Sequence, residues 1–162
     1  MGLDIAFWIL AVAVVAAALT VVVLRNVFRS ALALMLSFAG VAGLYITLSA
    51  DFLAAAQVLV YVGGISVLIL LAIMLTHNMS EGSPANRMRL PAFVISAILL
   101  GVIVFSVTNT DFPISNSAPT TPTTLALGEL MLSQRGYVLP LEIAGVLLLA
   151  AVVGAIVMAR EK

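Results

Sequence analysis

Long apolar runs alternate with short polar segments along the whole chain, and this alternation predicts a membrane protein built from helices. Five runs carry almost no charge, at about 5–24, 31–49, 52–76, 91–108 and 139–158. A helix of about 20 apolar residues is long enough to cross the hydrocarbon core of a bilayer, which is about 30 Å thick. We therefore expect an all-α integral membrane protein with five transmembrane helices, forming a single membrane domain over residues 1–162.

The segments between the runs predict how the helices are connected. The second and third runs are separated by a few residues around Asp51, which is enough for a tight turn and an antiparallel hairpin. A polar loop follows at 77–90, and the one long connection, 109–137, is rich in proline and threonine. Inside that connection, Leu125 to Leu132 predicts a short interfacial helix with Thr124 as its N-cap.

The basic residues predict the orientation of the chain in the membrane. Five spans put the two termini on opposite sides. One side then receives six of the seven Lys and Arg residues, namely Arg25, Arg29, Arg87, Arg89, Arg160 and Lys162, and the other receives only Arg135. Cytoplasmic loops carry an excess of basic residues. We expect the N-terminus and the 109–137 loop outside, and the C-terminus on the cytoplasmic side.

Composition excludes several kinds of chemistry. The chain is 64% hydrophobic and 9% charged, and it has no net charge and no basic run, so it has no electrostatic footprint for nucleic acid. Without cysteine it has no thiolate nucleophile and no ligand for an iron–sulfur cluster. A single histidine, His77, cannot build a metal site alone. We expect no catalytic, cofactor-binding or metal-binding residues in this chain.

Polar and small residues interrupt the third run, where a helix with no role beyond crossing the membrane would lack them. Gln57 and Tyr61 are four apart and share a helix face, whereas Ser66 lies roughly opposite on a regular helix. The pair Gly63 and Gly64 favours a local distortion, because glycine weakens the helix. A π-bulge between Tyr61 and Ser66 would rotate Ser66 towards the Gln57 face, which is the geometry of a switch. Alternatively, the glycines serve close packing and nothing moves.

Charged residues are missing from the middle of every predicted span, where they would mark an ion pathway. The nearest acid is Glu142, about one turn into the fifth helix. Its side chain can be stabilised by the positive end of the helix dipole. The alternative is a part in proton movement.

The third run closely resembles the third helix of a known family. Residues 51–64 read DFLAAAQVLVYVGG and lead on to Met74-Leu75-Thr76, as in chain J, or subunit 6, of respiratory complex I. Residues 30–48 resemble the second helix of that family, and 137–142 (YVLPLE) resemble the start of its fifth. Gln57 stands where some members carry glutamate. The resemblance therefore implies a hydrogen-bonding or water-ordering role for Gln57 rather than proton carriage.

The resemblance implies a non-catalytic subunit of a proton-translocating NADH:quinone oxidoreductase. In that family the third helix can carry a π-bulge, and the implied role is to gate or conduct protons between the quinone cavity and the antiporter-like subunits. The implied partners are these subunits and the homologues of subunits 1, 3 and 4L. NADH, FMN, iron–sulfur clusters and quinone are expected elsewhere in the complex. The expected location is the inner (cytoplasmic) membrane of a cell, or an organellar or thylakoid membrane.

A second hypothesis belongs to a different class of protein. The small-residue face at Ala39, Gly40 and Gly43 would let helices approach closely in lipid. The chain would then be a self-contained, homo-oligomeric transporter, channel or membrane scaffold. The absence of intramembrane charge and of an inverted repeat disfavours a transporter.

Overall fold

The computed structural model describes residues 2–76, 88–112, 122–133 and 136–160, and its regular elements there are all helical. Along the chain they are α1 (Gly2–Val23), α2 (Val27–Thr47), α3 (Asp51–Ala56), a π-helical segment (Gln57–Ile65), α4 (Ser66–Leu75), α5 (Arg89–Thr108), α6 (Thr123–Leu132) and α7 (Val138–Ala159). Helix α3, the π-segment and α4 form one continuous third span, Asp51–Leu75. In the described ranges five helices are long and apolar enough to cross a membrane, which confirms the five-span, all-helical prediction.

Helices α1 and α2 form a closely packed antiparallel hairpin. The Oδ1 atom of Asn26 accepts a hydrogen bond from the backbone amide of Arg29 (3.1 Å) and caps α2. The hydroxyl of Ser30 donates to the carbonyl oxygen of Val21 and fastens the two helix ends together. A Cβ atom placed on Gly40 would lie 2.5 Å from Cγ2 of Val14, so only glycine allows this separation of the two helices.

The turn between α2 and the third span is closed by a Schellman motif. The backbone amide of Ala50 donates to the carbonyl oxygen of Tyr45 (2.9 Å), and that of Ser49 donates to the carbonyl oxygen of Ile46 (3.1 Å). Ser49 takes the left-handed conformation that the motif requires, with φ at 57°. The turn sends the third span back along α2, so these two helices are antiparallel, as their spacing in the sequence predicts.

Helix α2 lies between its neighbours and contacts α1 on one side and every part of the third span on the other. The remaining helices are attached loosely. Helix α6 contacts α3, and α7 contacts α6, but α5 contacts no other helix in the described part of the chain. Every described side chain of α5 is exposed, as is nearly every one of α7. The described chain therefore consists of a bundle of three spans and of two further spans, α5 and α7, which have large uncovered faces.

Several details differ from the sequence-based expectations. Helix α2 begins at Val27, four residues before the predicted start, because the cap is Asn26; Arg29 is therefore helical and not in a loop. The prediction that Thr124 caps the short interfacial helix was wrong. That helix begins at Thr123 after Pro122 and has no side-chain cap. The hydroxyl oxygen of Thr123 instead accepts a hydrogen bond from the amide of Phe52 (3.4 Å), since the helix lies against the start of the third span.

Part of the predicted small-residue face also proved wrong. Gly40 and Gly43 face α1, where Val14 and Leu10 lie against them, but Ala39 is exposed. Three of the basic residues used to predict the orientation lie outside the described residues, namely Arg87, Arg135 and Lys162. His77 and most of its loop lie outside them as well.

We predict that Gly40→Leu shortens the lifetime of the chain in the membrane. The leucine would overlap Val14, and overpacking typically costs about 1–3 kcal/mol. The matched control is Gly101→Leu in α5, because a Cβ atom there meets no atom within 4 Å. With the tagged chain expressed alone, pulse-chase labelling should show faster loss of the Gly40 variant only. Equal lifetimes would contradict the close contact between α1 and α2.

Candidate functional site

The buried polar side chains of the described residues lie on α2 and on the third span. They are Ser37, Gln57 and Ser66, which are 8%, 8% and 2% exposed. Ser37 lies on α2, whereas Gln57 and Ser66 lie at the two ends of the π-segment. An apolar membrane makes unsatisfied polar groups costly, so such groups face the protein and find partners there.

Gln57 joins the third span to α2 through a backbone group. Its Nε2 atom donates to the carbonyl oxygen of Phe38 at 3.4 Å, which is a long hydrogen bond. One turn further on, the ring of Tyr61 packs edge-on against the ring of Phe38, with centroids 5.4 Å apart and planes at 68°. Phe38 therefore holds both members of the Gln57–Tyr61 face, one through its carbonyl and one through its ring.

Ser66 satisfies the carbonyl oxygen of Tyr61 twice. Its backbone amide donates to that oxygen and to the carbonyl oxygen of Gly63, and its hydroxyl donates to the Tyr61 oxygen at 2.6 Å. Tyr61 is five residues earlier, which is the spacing of a π-helix. On a regular helix Gln57 and Ser66 would differ by about 900°, or two and a half turns, and would face opposite sides. Because the π-segment winds more slowly, both are buried on the side of α2.

The two glycines of the π-segment face away from the bundle and are exposed. A Cβ atom on Gly63 would lie 3.4 Å from the carbonyl oxygen of Val58, and one on Gly64 would lie 3.8 Å from that of Leu59. Both distances are close to ordinary contact, so packing within this chain does not require glycine there. Small residues on an exposed membrane face allow the backbone of another helix to approach closely.

The structure brings five of the six candidate residues together in the third span and leaves one apart. Gln57, Tyr61, Gly63 and Gly64 lie in the π-segment, and Ser66 follows it directly. Glu142 is exposed and lies one turn inside α7, a helix that contacts only α6 in the described chain. Glu142 is thus not part of the polar contact with α2.

Sequence reasoning missed the α2 side of the site. Ser37 is a buried serine in the middle of α2, and a polar residue at mid-span could have drawn attention to this helix. The carbonyl of Phe38 gave no such signal, because every residue has one.

Hydrogen bonding and a change of helical register are what this arrangement can provide. The site contains amide, hydroxyl and backbone groups and no carboxylate, so it cannot carry a proton through an acid of its own. Within the described ranges no group of three or more His, Cys, Asp or Glu residues could hold a metal ion. The site is a polar, conformationally distinct segment inside an apolar bundle.

These features define a polytopic, all-helical membrane protein with a π-helical span and uncovered helix faces. Residues 17–158 match the family model described as NADH-ubiquinone/plastoquinone oxidoreductase chain 6. The chain belongs to this family.

Relatives in several lineages are similar over nearly the whole chain. NAD(P)H-quinone oxidoreductase chain 6 of Synechocystis sp. is 44% identical over 161 residues, covering 97% of this chain and 80% of the relative. F(420)H(2) dehydrogenase subunit J of Methanosarcina mazei is 39% identical, covering 95% and 89%. The chloroplastic NAD(P)H-quinone oxidoreductase subunit 6 of Physcomitrium patens is 34% identical, covering 98% and 84%.

We predict that Gln57→Leu weakens the contact between α2 and the third span without abolishing it. One interhelical hydrogen bond in a membrane is worth about 0.6 kcal/mol, so amides of the third span should exchange with deuterium roughly threefold faster. Hydrogen exchange with mass spectrometry on the chain in its native assembly measures this. Val58→Leu, next to it on an exposed face, should leave the rates unchanged. Unaltered exchange in Gln57→Leu would contradict the assigned hydrogen bond.

Proposed function

We propose that this chain is a membrane subunit of a proton-translocating quinone oxidoreductase of the complex I type. Within it, the third span helps to gate or conduct protons between the quinone cavity and the antiporter-like subunits. The observation that supports this most directly is the π-segment, Gln57–Ile65, in a chain that belongs to the chain 6 family. A π-helical segment inside an α-helix is rare and is frequently found at functional sites.

A gate requires two arrangements of similar energy, and the π-segment supplies a basis for both. Converting it to a regular helix would rotate the following residues by about 100°. The side chains presented to α2 and to any neighbouring helix would then change together. Gln57, Tyr61 and Ser66 would make or break a polar connection, and the exposed Gly63 and Gly64 would allow a partner helix to follow. The role of Gln57, Tyr61 and Ser66 is hydrogen bonding and water ordering.

The redox chemistry belongs to other subunits in this proposal. This chain contributes no catalytic residue, while NADH or another donor, FMN, iron–sulfur clusters and quinone are bound elsewhere. The names of the relatives support this division, because NAD(P)H-quinone oxidoreductases and an F(420)H(2) dehydrogenase share the same kind of chain. A subunit distant from the electron donor can stay similar while the donor changes.

Partner subunits would cover the faces that the chain leaves open. Helices α5 and α7 expose apolar side chains on all sides, which suits packing against other membrane helices or lipid. We assign these places to the antiporter-like subunits and to homologues of subunits 1, 3 and 4L. The basic residues support an N-terminus outside and a C-terminus inside. The membrane is a cell inner membrane or, as in the chloroplastic relative, an organellar one.

Glu142 has a simpler role in this proposal. It is exposed and lies just past the first turn of the lightly packed α7, away from the π-segment, so it takes no part in the proposed gate.

We predict that the tagged chain, purified from its native membrane in mild detergent, brings down several polytopic subunits together with flavin and iron–sulfur proteins. Mass spectrometry identifies them and names the electron-input module. Recovery as a stable homo-oligomer without redox proteins would overturn the proposal and favour a self-contained transporter, channel or scaffold.

We also predict that Tyr61→Phe and Gly64→Leu lower the number of protons translocated per electron more than they lower assembly. The first removes a hydroxyl but keeps the ring against Phe38, and the second fills the exposed glycine face. Quinone reduction and proton uptake are measured together in sealed vesicles. Tyr137→Phe and Gly101→Leu are the matched controls. Normal coupling in both test variants, in an assembled complex, would count against gating by the third span.

A further inference from the structure

At the π-segment, the stripe of residues that face α2 shifts by one position along the sequence. Before it, Ala54 and Gln57 are buried, and regular helical spacing would extend their stripe through Tyr61 to three later residues, Ile65, Leu68 and Ala72. All three of these are exposed. The residues covered instead are Ser66, Ile69 and Ile73, each one position later, together with Leu70 beside them. The pattern of burial thus records one residue accommodated by the π-segment.

Ser66 is the side chain at which this change of phase begins, and it is packed tightly. It is 2% exposed, and it is the largest fully buried side chain among the described residues. Within the described part of the chain, α4 contacts one helix outside its own span, and that helix is α2. The burial of Ser66 therefore comes from α2 and from its own span.

A regular helix would place Ile65 where Ser66 now lies. Ile65 is 38% exposed in the π-register, and its branched side chain is much larger than a serine hydroxymethyl group. Moving it against α2 would require α2 to shift or the side chain to leave its rotamer, which close-packed interiors resist. Ser66 therefore fits the contact with α2, whereas the neighbouring Ile65 does not.

Hydrogen bonding agrees with this register. Four threonines in or at the ends of the α-helical parts of this chain donate to the carbonyl oxygen four residues earlier, namely Thr20, Thr76, Thr108 and Thr110. This is the usual bond of a helical hydroxyl. The hydroxyl of Ser66 donates instead to Tyr61, five residues earlier. In the π-register, the small side chain at position 66 therefore fits against α2 and also has a hydrogen-bond partner.

We propose that the size difference between Ile65 and Ser66 sets the helical register of the third span. The small Ser66 lets the π-register close against α2, and the bulky Ile65 disfavours the regular helix. Size is the deciding property, and the hydroxyl bond follows from the register. This assignment builds on the proposed gate, because it names the pair of residues that determines which state of the gate is favoured.

The test exchanges the two residues in the intact assembly. In Ile65→Ser with Ser66→Ile, the regular helix should become the favoured form, and residues 66–75 should rotate by about 100°. Leu68 and Ala72 would then face α2 in place of Ile69 and Ile73, which cryo-electron microscopy of the complex shows directly. Ser66→Ala keeps the small size and should retain the π-register. Val67→Ile, on the exposed face beside them, is the matched control and should also retain it.

Each outcome either supports or overturns the proposal that Ile65 and Ser66 set the register. A π-register that persists in the exchanged variant would overturn the proposal, as would its loss in Ser66→Ala. If the exchanged variant does not assemble, Ile65→Ala takes its place, because it removes the obstacle without adding bulk. A second particle class with a regular third span is then expected, and a single π-helical class would overturn the proposal.

Proton coupling measured on the same variants separates this proposal from the gating function. A changed register with normal coupling would support the role of Ile65 and Ser66 while counting against the gate. An unchanged register in the exchanged variant overturns the assignment whatever the coupling.

Discussion

The need to satisfy polar groups inside an apolar membrane is the constraint on which the rest of this structure depends. A π-segment interrupts the regular ladder of backbone hydrogen bonds, and lipid offers no substitute for a lost partner. Here the carbonyl oxygen of Tyr61 accepts hydrogen bonds from both the amide and the hydroxyl of Ser66. The side chain of Gln57 finds the carbonyl oxygen of Phe38 on α2. The distorted span can exist because its polar groups are turned towards the protein.

Helix α2 supports this arrangement, and its own position depends on glycine. Gly40 and Gly43 allow α1 to pack closely on one side, which leaves the opposite side of α2 for the third span. The three spans form a bundle, whereas α5 and α7 remain largely uncovered in the described chain. A chain with this shape buries too little of its apolar surface to be a complete bundle by itself. The same uncovered faces are what a subunit of a larger membrane assembly would present to its partners.

The polar groups of the described site carry no charge, which fits the gating role proposed for it. Amide and hydroxyl groups can order water and change partners at low cost, whereas a buried carboxylate would hold a proton and add a large desolvation cost. A conformational gate between proton-carrying subunits needs amide and hydroxyl groups of this kind. This also explains how relatives whose names give different electron donors can share such a chain, because nothing in its polar contact concerns the donor.

The sequence by itself determined the five spans, since the length of an apolar run directly decides whether a helix can cross the bilayer. It also indicated the distorted segment, because Gly63 and Gly64 sit among polar residues at mid-span. Local capping was harder to predict: Asn26 moved the start of α2, and Thr124 capped nothing. Only the tertiary structure decided that Gln57 bonds the backbone of Phe38, that Ser66 packs against α2 and that Ala39 does not face α1. These outcomes depend on how far one helix is rotated against another, and that rotation is set by contacts between distant parts of the chain.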